Sequence, residues 1–314
     1  MNRRAAIRKL MVAGAVSCFP GMFARERDDP ADFTIRSDVR LVLLDVSVTD
    51  REAGFVTGLS KENFHVAENG VPQDLTVFAD NDIPVTVGIL VDNSLSMWPK
   101  MAEVISASST FVLSSNPRDE IFVLNFNDTV KRGLPKGVLF TDDLKQLRDA
   151  IFRGSPEGRT ALNDAVIDGL QQLTLGKRDK KTLVLISDGG DNASRHTHLE
   201  MMEALERGIA TIYTIGLFEF EDPDRNPGVL KKLARISGGQ AYFPDPTKPK
   251  ELTEVCRGIA KDIRTRYTVG YAPLAQNGGA LRRIHVDVSV PGRHLTARTR
   301  LSYRYESGAG QGTQ

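Results

Sequence analysis

Three hydroxyls and two carboxylates, spread over three loops, are the side chains of this sequence best suited to act together. Asp92-Asn93-Ser94-Leu95-Ser96 follows the apolar run VTVGILV and offers one carboxylate and two hydroxyls at alternate positions. Thr160 follows Gly158-Arg159 at the start of an amphipathic stretch, at or beside the N-cap of the helix expected there. Asp188 closes the run TLVLIS and precedes Gly189-Gly190-Asp191-Asn192. Short polar side chains on tight loops can converge on one point, and ligation by oxygen alone suits a hard cation such as Mg2+. A plainer use is open to most of them: Asp92, Ser94 and Ser96 as a polar helix start, and Asp188 as a turn former through Gly189. That use gives no reason for Thr160.

Other chemistries find no residues to carry them. The loop after VTVGILV has neither Gly-x-Gly-x-x-Gly nor Gly-Lys-Ser/Thr, which removes a dinucleotide site and a nucleotide P-loop. No Gly-x-Ser-x-Gly elbow and no His-Glu-x-x-His helix occurs. Forty-one basic against forty acidic residues leave a net charge of +1, so there is no electrostatic footprint for nucleic acid. Two cysteines, Cys18 and Cys256, make neither a disulfide framework nor a thiolate zinc site. His196 and His198 are two apart and read as solvated loop histidines rather than zinc ligands. Trp98 either edges a binding surface or packs beneath the first loop, and the acidic stretch 219–224 reads as a solvated connection.

The elements that must hold these loops come in three blocks. A chain of 314 residues suggests about two domains. From Pro84 to about Ile263, apolar strands alternate with amphipathic helices, the pattern of a doubly wound, mostly parallel sheet. Residues 121–126 and 129–134 form a hairpin about Asn127-Asp128, which makes the second an antiparallel edge. Cys256 falls on the apolar stripe Leu252, Val255, Ile259 and Ile263, as a small buried hydrophobe. In such sheets ligands bind beyond the carboxyl ends of strands, where strand order reverses, and the loops of Asp92 and Asp188 fit that position. Both flanks alternate with period two. Val42, Leu44, Val46 and Val48 share one face before the block, and Asn69-Gly70 marks a hairpin turn. After the block, Ile284, Val286, Val288 and Val290 share a face, and so do Leu295, Ala297, Thr299, Leu301 and Tyr303.

Asp92-x-Ser94-x-Ser96, then Thr160, then Asp188, each after its own element, resembles the metal-ion-dependent adhesion site of a von Willebrand factor type A domain. The resemblance implies Ser94, Ser96 and Thr160 as direct ligands, with Asp92 and Asp188 acting largely through bound water. It implies Mg2+, with Mn2+ or Ca2+ as alternatives, and a protein partner whose Asp or Glu carboxylate replaces one water. Leu95 stands where the family often has Gly, and Asn93 where Thr is frequent; both are non-ligand positions, so loop packing rather than ligation is affected. The runs LVLLDVSVTD, GLSKENFHVAENGVPQ and RTRYTVGYAP are similar to a bacterial family of exported proteins related to these domains. There, sequence on both sides of the central domain builds one β-sandwich. The organisation expected is therefore β-sandwich at 30–82, the doubly wound domain at 83–263, β-sandwich again at 264–306, and a flexible tail at 307–314.

The first residues read as an export signal over 1–24. Arg3, Arg4, Arg8 and Lys9 precede an apolar run at 10–19, broken by Pro20-Gly21, with charges from Arg25. Cleavage is expected after Ala24. Arg3-Arg4 loosely resembles a twin-arginine signal, and Ala15-Val16-Ser17-Cys18 a lipobox, which leaves a lipid anchor at Cys18 as the alternative. No later segment is apolar for long enough to span a bilayer. The function expected is an exported, metal-dependent protein-binding (adhesion or interaction) module without enzymatic activity. The alternatives are a Mg2+-dependent hydrolase or phosphotransferase, for which only Asp92, Asp188 and Asp191 could serve as nucleophile or base, and a scaffold whose metal is structural.

Overall fold

The first flank alternates because only one of its faces is dry. It appears so in the computed structural model, which describes residues 41–153, 156–218, 225–245, 247–273 and 281–305. Strand β1 (Val42–Asp50) buries Leu44, Val46 and Val48, and β2 (Gly54–Phe55) folds back on it. Strands β3 (Phe64–Glu68) and β4 (Val71–Gln73) close on Asn69 and Gly70, whose φ values of 49° and 83° suit a two-residue hairpin turn. Strand β5 (Leu75–Ala79) ends the flank.

The central block begins with β6 (Val85–Asp92), buried at every position as a middle parallel strand must be. A 3-10 turn, Leu95–Lys100, leads into α1 (Met101–Ser114). Then come β7 (Glu120–Phe126), β8 (Val130–Arg132), α2 (Leu144–Ile151) and α3 (Leu162–Thr174). The block closes with β9 (Lys180–Ser187), α4 (His198–Arg207), β10 (Thr211–Gly216), α5 (Pro227–Ser237), β11 (Ala241–Tyr242) and α6 (Pro249–Arg264). The sheet order is β11-β10-β9-β6-β7-β8, parallel throughout except for the β8 edge. From β6 the chain builds outward through β7 and β8, then returns to place β9 on the other side of β6. Strand order reverses between β6 and β9. Helix α1 packs with α2 and α6, and α3 with α4, so that the sheet is covered on both faces. Cys256 is buried on α6, and its surroundings push the thiol up to about 12.

The second flank supplies β12 (Tyr267–Tyr271), β13 (Leu281–Val288), β14 (Leu295–Arg298) and β15 (Ser302–Arg304). Two antiparallel sheets result, β14-β1-β12-β5 with β2 beside β1, and β15-β13-β3-β4. Each combines strands from both sides of the central block: Leu44 pairs with Val269, and Val66 with Val286. Their inner faces share one core, with Leu44, Val46, Phe64, Tyr267 and Tyr271 at its centre. The doubly wound domain is inserted in a β-sandwich made by its flanks.

One expectation for this flank fails. Leu295 to Tyr303 is not a single strand with one apolar face. Pairing with β1 stops at Arg298 and resumes at Ser302 in the other sheet, and Leu301 is 43% exposed. The end of α5 diverts the chain: Leu301 N donates to Ile236 O, and a Cβ on Gly238 would lie 2.4 Å from Thr299 C and Arg300 N. A glycine with φ of 80° at that cap lets residues 299–301 cross from sheet to sheet.

Buried polar groups join the two modules. Asp262 of α6, fully buried, accepts from Tyr213 Oη at 2.6 Å and pairs with Arg266 at 3.5 Å and with Arg298 of β14. Arg266 donates onward to Gly238 O at 2.6 Å, and its guanidinium pair holds the Asp262 carboxyl below the ordinary range despite burial. Inside the sandwich, Glu68 pairs with Arg282 and accepts from Tyr271 and Tyr303 at 2.7 Å each. Buried charges persist only with such partners. The segments 1–24 with Cys18, 219–224 and 307–314 lie outside the described residues. Among the described residues, no helix is long and apolar enough to cross a membrane.

Candidate functional site

Strands β6 and β9 are neighbours in register, Val91 beside Ile186, so the residues that follow leave the sheet side by side. Asp92 is completely buried there. Its Oδ1 accepts from Ser94 N at 2.9 Å and its Oδ2 from Ser187 Oγ at 2.6 Å. Ser94 Oγ lies 3.1 Å from Ser96 Oγ, and Ser96 Oγ donates to Asp188 Oδ2 at 2.6 Å. Asp188 Oδ1 accepts from Gly190 N at 3.0 Å. Four of the five candidate residues therefore form one chain of hydrogen bonds across the switch point. Gly189 makes the turn possible: its φ is 83°, and a Cβ there would meet Asn226 O at 2.5 Å.

Thr160 arrives from a third loop, fastened on two sides. Leu95 N donates to Gly158 O at 3.3 Å, and Thr160 N donates to Asn192 Oδ1 at 2.9 Å. Thr160 O in turn accepts from Asn192 N at 2.9 Å and Ala193 N at 3.0 Å. Its side chain makes no hydrogen bond among the described residues. The helix-cap role is excluded, because Ala161 is the N-cap of α3 and Thr160 stands one residue before it. The capping is done by Asp191 instead, which accepts from Asn163 N at 3.2 Å and from Asn163 Nδ2 at 2.7 Å, and also from Ser194 Oγ. Asp191 is thus occupied and a poor candidate for a general base.

Burial, and secondly the negative charge of Asp188, push the Asp92 carboxyl up to about 7. Asp92 makes no ion pair with a basic side chain among the described residues. Two carboxylates forced together in a dry site destabilise each other, and a cation is the simplest remedy. Among the described residues the cluster holds two carboxylates, and no group of three or more His, Cys, Asp or Glu could hold a metal. A cation here would rest on hydroxyls, carboxylates and water, the donor set of a hard divalent ion.

The sequence pattern overlooked Ser187, which orients Asp92, and Lys100, which is buried and donates to Ser96 O and Leu217 O at 3.1 Å each. A hydroxyl at the end of an otherwise apolar strand was the available signal for Ser187. A lysine inside a 3-10 turn carries no signal without the fold. Trp98 is 61% exposed while Met97 fills the space below, so the tryptophan edges the surface; Leu95 beside it is 66% exposed. His196 hydrogen-bonds Asp164 through Nδ1 at 2.7 Å and His198 faces Lys232 at 3.3 Å, so the two do not converge.

An open parallel sheet with one antiparallel edge carries a serine- and aspartate-lined loop cluster at its switch point, which defines a doubly wound α/β domain with a polar site beyond its strand ends. Residues 87–190 match the von Willebrand factor type A domain family, a span containing all five candidate residues. The fold of the chain is similar to a von Willebrand factor type A structure from Catenulispora acidiphila at 15% identity and a TM-score of 0.51, covering 85% of this chain and 75% of that one. The conserved hypothetical protein BatB from Bacteroides thetaiotaomicron is 18% identical with a TM-score of 0.45, over 57% of this chain and 98% of its own. Proximal thread matrix protein 1 from the mussel byssus, solved with a zinc-occupied MIDAS motif, is 16% identical with a TM-score of 0.48, over 64% of this chain and 50% of its own. No curated protein matches the chain.

Proposed function

We propose that this protein is an exported, metal-dependent protein-binding module without enzymatic activity. Ser94, Ser96 and Thr160 would hold Mg2+ directly, and Asp92 and Asp188 would hold it largely through water. A cation held by neutral oxygens keeps electrophilic character and exchangeable waters. An Asp or Glu carboxylate of a partner protein then replaces one water and shares the ion. The observation that carries this reading is the convergence of Ser94, Ser96 and Asp188 on one short polar chain beside the buried Asp92. The exposed Leu95 and Trp98 support a protein rather than a small solute as ligand, since they add apolar contact area at the rim of the loop.

The test is calorimetry of Mg2+ binding together with partner capture from envelope extracts, each with the wild-type chain and with Asp188→Ala. Metal-dependent capture by the wild type alone is expected. Capture that is equal in EDTA would sink the proposal.

A further inference from the structure

A second concave surface lies far from the metal loops, where the C-terminal half of α5 faces the sandwich. The cavity has a volume of about 390 Å3, within the range of ligand-binding clefts. Lys231 and Arg235 of α5 and Arg298 and Arg300 of the second flank are among its lining residues, and no Asp or Glu lines it. Arg298 and Arg300 are committed: Arg298 pairs with Asp262, and Arg300 donates to Ser302 O at 2.9 Å and Glu206 O at 3.2 Å. Lys231 and Arg235 are exposed and make no ion pair with a carboxylate among the described residues.

Three further observations fit one kind of occupant. Part of the lining is apolar, with Ile284 and Val286 of β13. Two of the walls are strand edges: β11 ends the parallel sheet, β14 ends a sandwich sheet, and both contribute lining residues, Ala241 and Ala297. Finally, two of the lining residues carry buried polar atoms with no hydrogen-bond partner, Arg298 Nε and Thr299 Oγ1. A buried donor without an acceptor costs free energy that a ligand oxygen can recover. Alternating apolar and acidic side chains on an extended backbone would meet all of these features at once. Strand edges recognise peptides through backbone hydrogen bonds, with pockets and charges reading alternate side chains.

We propose that this groove binds an extended acidic peptide segment of a partner protein, with its carboxylates on Lys231 and Arg235 and its backbone along an open strand edge. The site is independent of the metal loops, so binding here should not need a divalent cation.

The probe is a fluorescein-labelled octapeptide alternating glutamate and valine, titrated into the full chain in EDTA and followed by anisotropy. Binding is expected, with affinity falling at least roughly tenfold in Lys231→Glu/Arg235→Glu, two changes on an exposed helix face, and falling with added salt. Hydrogen exchange should slow in β11 or β14 when the peptide is bound. A lysine-valine octapeptide that binds equally well, or an unchanged affinity in the double variant, overturns the assignment. So does peptide binding that vanishes in EDTA or in Asp188→Ala, because it would then belong to the metal loops. Displacement by pyrophosphate without any strand protection would mean a small-anion site and would equally overturn it. Failure of the metal reading leaves these outcomes unchanged.

Discussion

Ser96 Oγ donates to Asp188 Oδ2 at 2.6 Å, joining the loop after β6 to the loop after β9 across the point where strand order reverses. The two residues are far apart in the chain and meet only because β6 and β9 are adjacent and parallel. Asp188→Ala and Ser96→Ala should each lower Mg2+ affinity by more than tenfold, because either change removes one of few oxygens that repay the dehydration of the ion. The unfolding midpoint of the metal-free protein should move little, since neither change opens a cavity in the apolar core. Paired calorimetry and thermal melts check both halves. Wild-type affinity in either variant would show that the ion is held elsewhere.

Proton competition follows from Asp92. Burial, and secondly Asp188, raise its folded-state pKa from the ordinary carboxylate range to about 7. A raised carboxyl contributes stability that is fully present below about pH 4 and is lost as pH rises through about 7. The metal-free protein should therefore lose on the order of 4 kcal/mol between those limits from this group alone. Mg2+ should bind with release of about one proton below pH 7, its affinity falling roughly tenfold per pH unit. Asp92→Asn should flatten the stability slope of the metal-free protein, as urea titrations from pH 4 to 8 would reveal.

Thr160 and Asp191 separate binding from capping. Thr160→Ala should weaken Mg2+ binding with almost no loss of stability, because Ala161 rather than Thr160 is the N-cap. Asp191→Ala should cost about 1 kcal/mol by freeing the first turn of α3, with a smaller effect on the metal. Denaturant midpoints beside metal titrations distinguish the two.

Asp262 predicts how the modules depend on each other. Asp262→Ala should destabilise the whole chain by about 3–5 kcal/mol, since it leaves Arg266 buried without its counter-charge. A fragment of residues 83–263 lacks both Arg266 and Arg298. It should unfold at distinctly lower denaturant concentration than the full chain, measured by circular dichroism in urea.

Export has a direct readout. Protein recovered from its native host should begin after Ala24, or at Cys18 if lipidated. Intact residues 1–25 on cytosolic protein, found by mass spectrometry, would refute the signal reading.

Much of this was legible in the residues themselves. The run VTVGILV, apolar apart from Thr86, reads as a strand covered on both faces, and Asn69-Gly70 between extended runs reads as a turn. Period and turn chemistry are local properties, so they survive without tertiary context. The candidate residues Asp92, Ser94, Ser96, Thr160 and Asp188 were equally visible, because each adjoins an element whose type the local pattern declares: the first three and Asp188 follow strands, and Thr160 precedes a helix.

The sequence by itself thus determined the alternation of strands and helices, the period-two flanks and the loops that carry the polar cluster. Only the tertiary structure decided what crosses between elements. Leu295 to Tyr303 alternates like one strand, yet Gly238 and Ile236 at the end of α5 divide it between two sheets. Lys100 and Ser187 acquire their roles beside the site from distant neighbours, Leu217 just beyond β10 and Asp92 at the end of β6. The Asp262–Arg298 pair joins α6 to β14 across the module boundary. The physical reason is the same each time. Periodicity records which face of a segment is dry, whereas the partner that makes it dry, and the charge it must neutralise, come from distant parts of the chain brought together by packing.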